Sequence, residues 1–282
     1  MNKGIIAINK PANWTSFDIV NKLKFMLKPA KVGHLGTLDP MATGVLLVTV
    51  GKATKLFDLM QEKTKTYVAE FEFGYTTDTL DATGVVASES KIIPDIEEIE
   101  KIIPNFIGVI DQIPPKYSAK SINGVRAYDM ARKGKEFSLD PKKITVYNIK
   151  ILAYAKPKIT LEIVCGSGTY IRAIGRDIAE ALNTVATMTK LERIKVDNFS
   201  IENCQNIEDI NKENVNEFII PIEKLLSLPH LEVDDTVKSR LLNGLTQIVN
   251  EIDGNYMLID EFDAVAIVKI ENSQAKMLIY LG

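Results

Sequence analysis

Residues 158–182, KITLEIVCGSGTYIRAIGRDIAEAL, constrain the fold most tightly. Ile159, Leu161, Ile163 and Cys165 alternate with mostly polar neighbours, the period of a half-buried strand. Apolar residues after Thr169 recur at helical spacing instead. Only Gly-Ser-Gly separates the two, so a strand runs straight into a helix. Other strand-like runs are GIIAIN (4–9), VLLVTV (45–50), KTYVAEFEFGY (65–75), KKITVYNIKILAYA (142–155) and TKLERIKVDNFSI (189–201). Helical patterns fall at SFDIVNKLKFML (16–27), KATKLFDLMQEK (52–63) and IPDIEEIEKIIPNFIG (93–108), the last stopped by Pro104. In the first helix, Phe17, Val20, Leu23, Phe25 and Leu27 form the apolar stripe and Ser16 is placed at the N-cap. TTDTLDATG (76–84) reads as turn residues closing a strand, and 114–137 as a loop-rich basic stretch.

Beyond about residue 224 the chain turns acidic. It holds one helix-like piece, DDTVKSRLLNG, and three strand-like pieces, NYMLIDEF, DAVAIVKIEN and AKMLIYLG. The expected fold is a mixed α+β main domain over 1–226 and a small, mostly β domain over 227–282, with the boundary near SLPHLEVDD. The apolar run at the start is too short for a signal peptide, and no window approaches the ~18 apolar residues of a membrane span, so a cytoplasmic location is expected. Cys165 and Cys204 are too few for a disulfide framework or a four-thiolate site.

The overall charge of −3 conceals an uneven distribution. Residues 1–68 carry net +6 and 116–143 net +5, against −9 over 201–282. The basic part is either a dock for a polyanion or an ordinary solvated surface.

With two histidines, His34 and His230, and no HExxH, P-loop or strand-linked GxGxxG, zinc and nucleotide-cofactor chemistry are disfavoured. Attention passes to Asp39 in GHLGTLDPMATG (33–44). Asp before Pro can cap a helix. Pro40, however, drives Asp39 out of the α region, and the run beyond it is strand-like, which favours a rigid exposed turn. Gly166-Ser167-Gly168 is either an anion-binding nest or a plain loop. Arg172 stands in the first helical turn, unfavourable against the helix dipole. A carboxylate elsewhere would hold it; otherwise it is solvated.

GHLGTLDPMATGVL, KTKTYVAEFEFGYTTDTLDATG, PPKYSAKSINGVRAYDMARKG and CGSGTYIRAIGRDI, in this order over roughly residues 4–200, resemble the TruB family of tRNA pseudouridine synthases. KPANWTS resembles that family's KPxGxTS, with Asn13 where Gly is usual, a mild departure because Asn tolerates the left-handed region. Ala179 and Asp197 occupy two further positions at which the family commonly has Gly.

The resemblance implies a catalytic domain with a mixed, mainly antiparallel central sheet flanked by helices. It also implies an RNA-binding insertion at about 105–141 and a PUA-like C-terminal domain, whose acidity argues against strong RNA contact there. It implies isomerisation of one uridine in the T-loop of tRNA (position 55) to pseudouridine, with base flipping and without metal or cofactor. The expected partner is the T-arm of tRNA, bound by a monomer. Asp39 matches the catalytic aspartate, Arg172 the arginine paired with it, Tyr67 the tyrosine that stacks on the flipped base, and Tyr170 a second pocket tyrosine. Leu191 matches a base-contacting residue and His34 one that contacts the RNA loop. Lys10 is expected to support the aspartate loop or bind backbone. Pairing with Arg172 is expected to hold the Asp39 carboxyl below its usual range. The alternatives are a non-catalytic tRNA-folding protein on the same scaffold, a synthase for another RNA and, more remotely, a cofactor-free glycoside hydrolase.

Overall fold

A computed structural model of the chain describes residues 3–61, 64–118, 121–122, 125–126, 128, 130, 137–226, 228–261 and 263–282. Much of the expected basic segment 116–143 therefore lies outside the described residues. The strands that build the larger, N-terminal part begin with β1 (Gly4–Lys10), β2 (Val32–Leu35), β3 (Thr43–Val50) and β4 (Lys65–Phe73). A short pair, β5 (Tyr75–Thr77) and β6 (Val86–Glu89), forms a separate ribbon, and β7 (Gly108–Gln112) comes next. A second small ribbon, β8 (Ser121–Ile122) with β9 (Val125–Arg126), precedes the long β10 (Lys142–Ala155), β11 (Lys158–Cys165) and β12 (Ala186–Val196).

The central sheet runs β1-β3-β12-β4-β11-β10-β7, extended at its edges by short pieces of later chain. Among the described residues, only the β3–β12 pairing and the contact of β1 with Gln205–Asn206 are parallel strand pairings of this sheet. This is the expected mixed, mainly antiparallel α+β sheet. Its first strands are apolar throughout because both faces are covered. Ile6, Ile8, Leu46 and Val48 point into a core under helix α1 (Ser16–Met26). Ile5, Ala7, Val45 and Leu47 point the other way, onto Met257, Ala264, Ile267 and Leu281 of the C-terminal part.

That part is a four-stranded antiparallel sheet with its own core around Leu231, Leu241, Tyr256 and Val268. Two side chains of the N-terminal part hold its last strand: Lys55 donates to the Tyr280 carbonyl (3.0 Å) and Lys3 to that of Leu281 (3.3 Å).

Helix α2 (Phe57–Gln61) comes after a 3₁₀ turn, Gly51–Leu56, so the helix expected over 52–63 is shorter than its pattern. Helix α3 (Ile96–Ile102) ends before Pro104, in a further 3₁₀ turn. Helix α4 (Ile171–Ala181) leaves β11 through the Gly-Ser-Gly turn as expected. It lies close on the sheet: a Cβ on Gly175 would stand 2.2 Å from the ring of Phe71 on β4.

Two expectations for α1 fail. Its N-cap is Thr15, which forms a reciprocal capping box with Asp18, while Ser16 reaches across to another loop. Phe17 (63% exposed) and Phe25 (60%) face solvent rather than the core. Ile19, Val20 and Leu23 bury the inner face with Leu27, and that packing leaves the two aromatics on the outside.

Candidate active site

Asp39 sits on the loop between β2 and β3. The backbone closes a turn at Asp39-Pro40-Met41-Ala42, the Ala42 N–H donating to the Asp39 carbonyl (3.0 Å). No helix begins there, so the acid is presented rather than used as a cap. Three devices brace this loop. The Ser16 hydroxyl accepts from the Leu38 N–H at 2.9 Å and contacts its carbonyl at 3.3 Å. The Asn13 N–H donates to the Pro40 carbonyl (2.8 Å) from a left-handed conformation, φ 64°.

Lys10 is the third. It is fully buried, and its ammonium donates to the carbonyls of Pro11 (2.9 Å), Trp14 (2.6 Å) and Pro40 (3.2 Å). Burial pulls it down to about 8 despite the nearby Asp39 carboxylate, so near neutral pH it keeps its protons and its donors. Of the two roles expected for Lys10, support of the aspartate loop fits and substrate binding does not. Its donors are spent beneath that loop, outside the cleft.

The Asp39 carboxylate opens into a cleft of about 1540 Å³ and is 31% exposed. Arg172, on the first turn of α4 and only 8% exposed, grips it with two donors. Nε lies 2.9 Å from Oδ2 and Nη2 lies 3.2 Å from Oδ1. The other guanidinium donors go to the carbonyls of Thr79 (2.8 Å) and Tyr117 (3.1 Å), with the Asp81 carboxylate 3.4 Å from Nη1. Of the two alternatives for Arg172, a carboxylate partner or solvation, the first holds, and twice over. Asp81 is itself buried and held by Thr79 Oγ1 (2.9 Å) and by the Thr83 N–H (3.0 Å) and hydroxyl (2.5 Å).

The expected lowering of the Asp39 carboxyl does not occur. Burial raises it above the usual carboxylate range; Arg172 pulls it back, and Asp81 adds to the rise. A part-buried anion facing a second anion is costly even when paired.

Tyr67, on β4, and Leu191, on β12, line the cleft as expected, each 7% exposed. Burial raises the Tyr67 phenol, which stays neutral at working pH. Opposite Tyr67 in register is Arg193, 1% exposed, with its guanidinium carbon 6.0 Å from the tyrosine ring centroid. Arg193 donates to the carbonyls of Val45 (2.7 Å) and Gly36 (3.1 Å), tying β12 to the start of the Asp39 loop. Close approach there requires glycine: at Gly44, φ 100°, a Cβ would lie 2.3 Å from the Arg193 carbonyl oxygen.

His34 also lines the cleft, with Nδ1 buried and without a hydrogen-bond partner; burial and the Arg193 charge lower its pKa. Tyr170 is at the N-cap of α4, where the Gln112 side chain clamps its backbone: Oε1 accepts from its N–H (2.9 Å) and Nε2 donates to its carbonyl (3.2 Å). Lys65 and Lys142 flank the Gly-Ser-Gly turn, Lys65 donating to Ser167 Oγ (2.7 Å), and burial lowers Lys65 to about 8.

The structure therefore gathers Asp39, Tyr67, Tyr170, Arg172, His34 and Leu191 around one cleft. Asp81, Gln112 and Arg193 were not anticipated. Asp81 carried a signal, a second acid inside the turn DTLDATG, but one that turn chemistry alone explains. Among the described residues no group of three His, Cys, Asp or Glu could hold a metal, and no helix is long and apolar enough to cross a membrane.

Comparison with known proteins bears on the chemistry. The family model "TruB family pseudouridylate synthase (N terminal domain)" matches residues 24–171. The chain belongs to the TruB family. Among the relatives of this TruB member, tRNA pseudouridine synthase B of Clostridium kluyveri is 44% identical, over 86% of this chain and 84% of that protein. The protein of the same name from Clostridium tetani is 45% identical over 90% of each. In fold, the TruB chain is similar to one in the crystal structure of a Cbf5-Nop10-Gar1 complex, with TM-score 0.72 at 22% identity, covering 99% of this chain and 84% of that one.

Proposed function

We propose that the protein converts a uridine in the T-loop of tRNA, position 55, to pseudouridine, with Asp39 as the catalytic group. Membership of the TruB family supports the reaction class and the tRNA substrate. The observation that carries the residue assignment is the two-point grip of Arg172 on a part-exposed Asp39 at the floor of a cleft large enough for a nucleotide.

The reaction is an isomerisation. The N1–C1′ bond breaks, the uracil turns within the pocket, C5 bonds to C1′, and the proton lost from C5 is balanced by one gained at N1. Cleavage places positive character on the sugar, which an anion can stabilise or trap. Arg172 fixes the direction of the Asp39 oxygens. Burial, which raises Asp39, makes the carboxylate more basic and a stronger partner for the developing cation.

The uridine must leave its stack to enter. Tyr67 supplies a ring for the flipped base, with Leu191 beside it. His34, held neutral by its lowered pKa, is proposed to contact the RNA loop. Tyr170 completes the pocket wall. Lys65, Lys142 and Lys143 line the cleft as cations for phosphate. We assign residues 1–226 to the catalytic domain, with an RNA-binding insertion at about 105–141, and 227–282 to a PUA-like domain. The proposed form is a cytoplasmic monomer acting on the T-arm, checkable by sedimentation of the protein alone and with tRNA.

The test is site mapping. Purified protein incubated with an unmodified tRNA transcript should introduce pseudouridine at position 55 and nowhere else. Modification elsewhere, or tight binding without any modification, would replace this reading with a synthase of different target or a tRNA-folding protein.

A further inference from the structure

The outer face of α1 has no role in the chemistry above. Phe17, Asn21, Lys24 and Phe25 are all exposed and fall at i, i+4, i+7 and i+8, so they share one face of the helix, and exposed Lys28 lies in the turn just past its C-cap, Leu27. Single exposed aromatics are ordinary on protein surfaces. Here two phenylalanines, both more than half exposed, alternate with lysines on one stripe. The ring of Phe25 carries two ammonium groups, Lys212 at 4.4 Å and Lys28 at 5.6 Å from its centroid. Neither lysine makes an ion pair with a described carboxylate, so the aromatic ring fixes two positive charges that protein anions leave uncompensated.

The stripe is continuous with the active site. Phe17 lines the mouth of the catalytic cleft, and its neighbour Ser16 is hydrogen-bonded to Leu38, the residue before Asp39. The capping box of Thr15 and Asp18 fixes the helix end that presents the Phe17 ring. The place of that ring is thus tied to the catalytic loop.

We propose that this face binds the substrate RNA outside the target uridine: an unpaired base beside the flipped one stacks on Phe17, and the phosphodiester backbone beyond it lies along Lys24, Lys28 and Lys212. The inference rests on the RNA-modifying function proposed above. An open aromatic face at the rim of a cleft is what an unstacked base takes up, and ring-held ammoniums are poised for phosphate. Phe25 serves here as the anchor for the two lysines, since they occupy its face.

The experiment measures Kd for full-length tRNA against salt concentration, using the full chain and three variants: Phe17→Ala, Phe17→Trp and the triple Lys24→Gln/Lys28→Gln/Lys212→Gln. Loss of one stacked base should weaken binding about 5- to 150-fold in Phe17→Ala. Phe17→Trp should bind like the wild type. The triple variant should lower the slope of log Kd on log salt by about 0.7 for each phosphate no longer neutralised. Melting temperatures should stay at the wild-type value, because all four side chains are exposed.

A Phe17→Ala affinity within twofold of wild type, or an unchanged salt slope in the triple variant, overturns the proposal and leaves the stripe for a protein partner. If the wild-type chain itself binds no tRNA, the functional reading fails instead, a distinct result.

Discussion

Gly175 tests how the fold holds the catalytic pair. It lies one turn after Arg172 on α4, against Phe71 on β4. In an open helix, Gly175→Ala would be stabilising by about 0.8–1 kcal/mol through propensity and reduced chain entropy of the unfolded state. Here the added methyl would stand 2.2, 2.3 and 3.0 Å from three atoms of the Phe71 ring. Phe71 is 2% exposed and belongs to the main core, so its ring has nowhere to go. Overpacking of this kind costs about 1–3 kcal/mol or more, so the clash outweighs the propensity gain.

The strain relaxes most simply by lifting α4 from the sheet, and that displaces the guanidinium that orients Asp39. A misplacement of about 1 Å at a catalytic contact costs on the order of 100-fold in rate. Gly175→Ala should therefore lower both the urea midpoint and kcat/KM. Phe71→Leu opens the space the methyl needs, so the double variant should recover part of both losses, a coupling readable in a double-mutant cycle. Gly175→Ala with wild-type stability and rate, or a double variant no better than the sum of its parts, would refute this reasoning.

Three further outcomes are expected. Asp81→Asn removes one of the charges that raise Asp39 while keeping the shape, so the acidic limb of the kcat/KM profile should move to lower pH; a limb that stays or moves up would mean that the Asp81 charge does not raise Asp39. Tyr67→Ala should lower kcat more than it weakens tRNA binding, measured by single-turnover kinetics beside a binding isotherm; equal losses would indicate a folding defect. Lys10→Met strips the donor from three part-buried carbonyls, of which, among the described residues, only that of Pro40 keeps another hydrogen bond, from Asn13. Denaturant unfolding should report a loss of about 2–6 kcal/mol, at ~1–3 kcal/mol per orphaned group.

The turn at Asp39 was legible because its causes are local: Pro40 pushes Asp39 out of the α region, and the strand-like run just beyond it leaves little helix to cap. The strand–turn–helix of 158–182 was legible for the same reason. Arg172 was half legible, since its poor fit to the helix dipole left an anion or solvation open and only the family resemblance named Asp39. Asp81, Gln112 and Arg193 act through groups distant in the chain, and nothing in their immediate neighbours distinguishes them from turn or strand residues. The direction of the Asp39 shift failed on the same ground, because a partner's charge can be inferred from a motif and burial cannot. Phe17 and Phe25 were misassigned because a helical stripe does not say how wide the covered face is. Asn13 and Asp197, at positions where glycine is usual in the family, do adopt positive φ, 64° and 51°.

The central claim is that one carboxylate, Asp39, performs the isomerisation. Tritium release from tRNA labelled at C5 of uridine measures it directly, because that hydrogen leaves only when the new carbon–carbon bond is completed. Wild-type protein should release one equivalent per tRNA, and Asp39→Ala should release none above background while still binding the tRNA. Release by Asp39→Ala at the wild-type rate would contradict the claim.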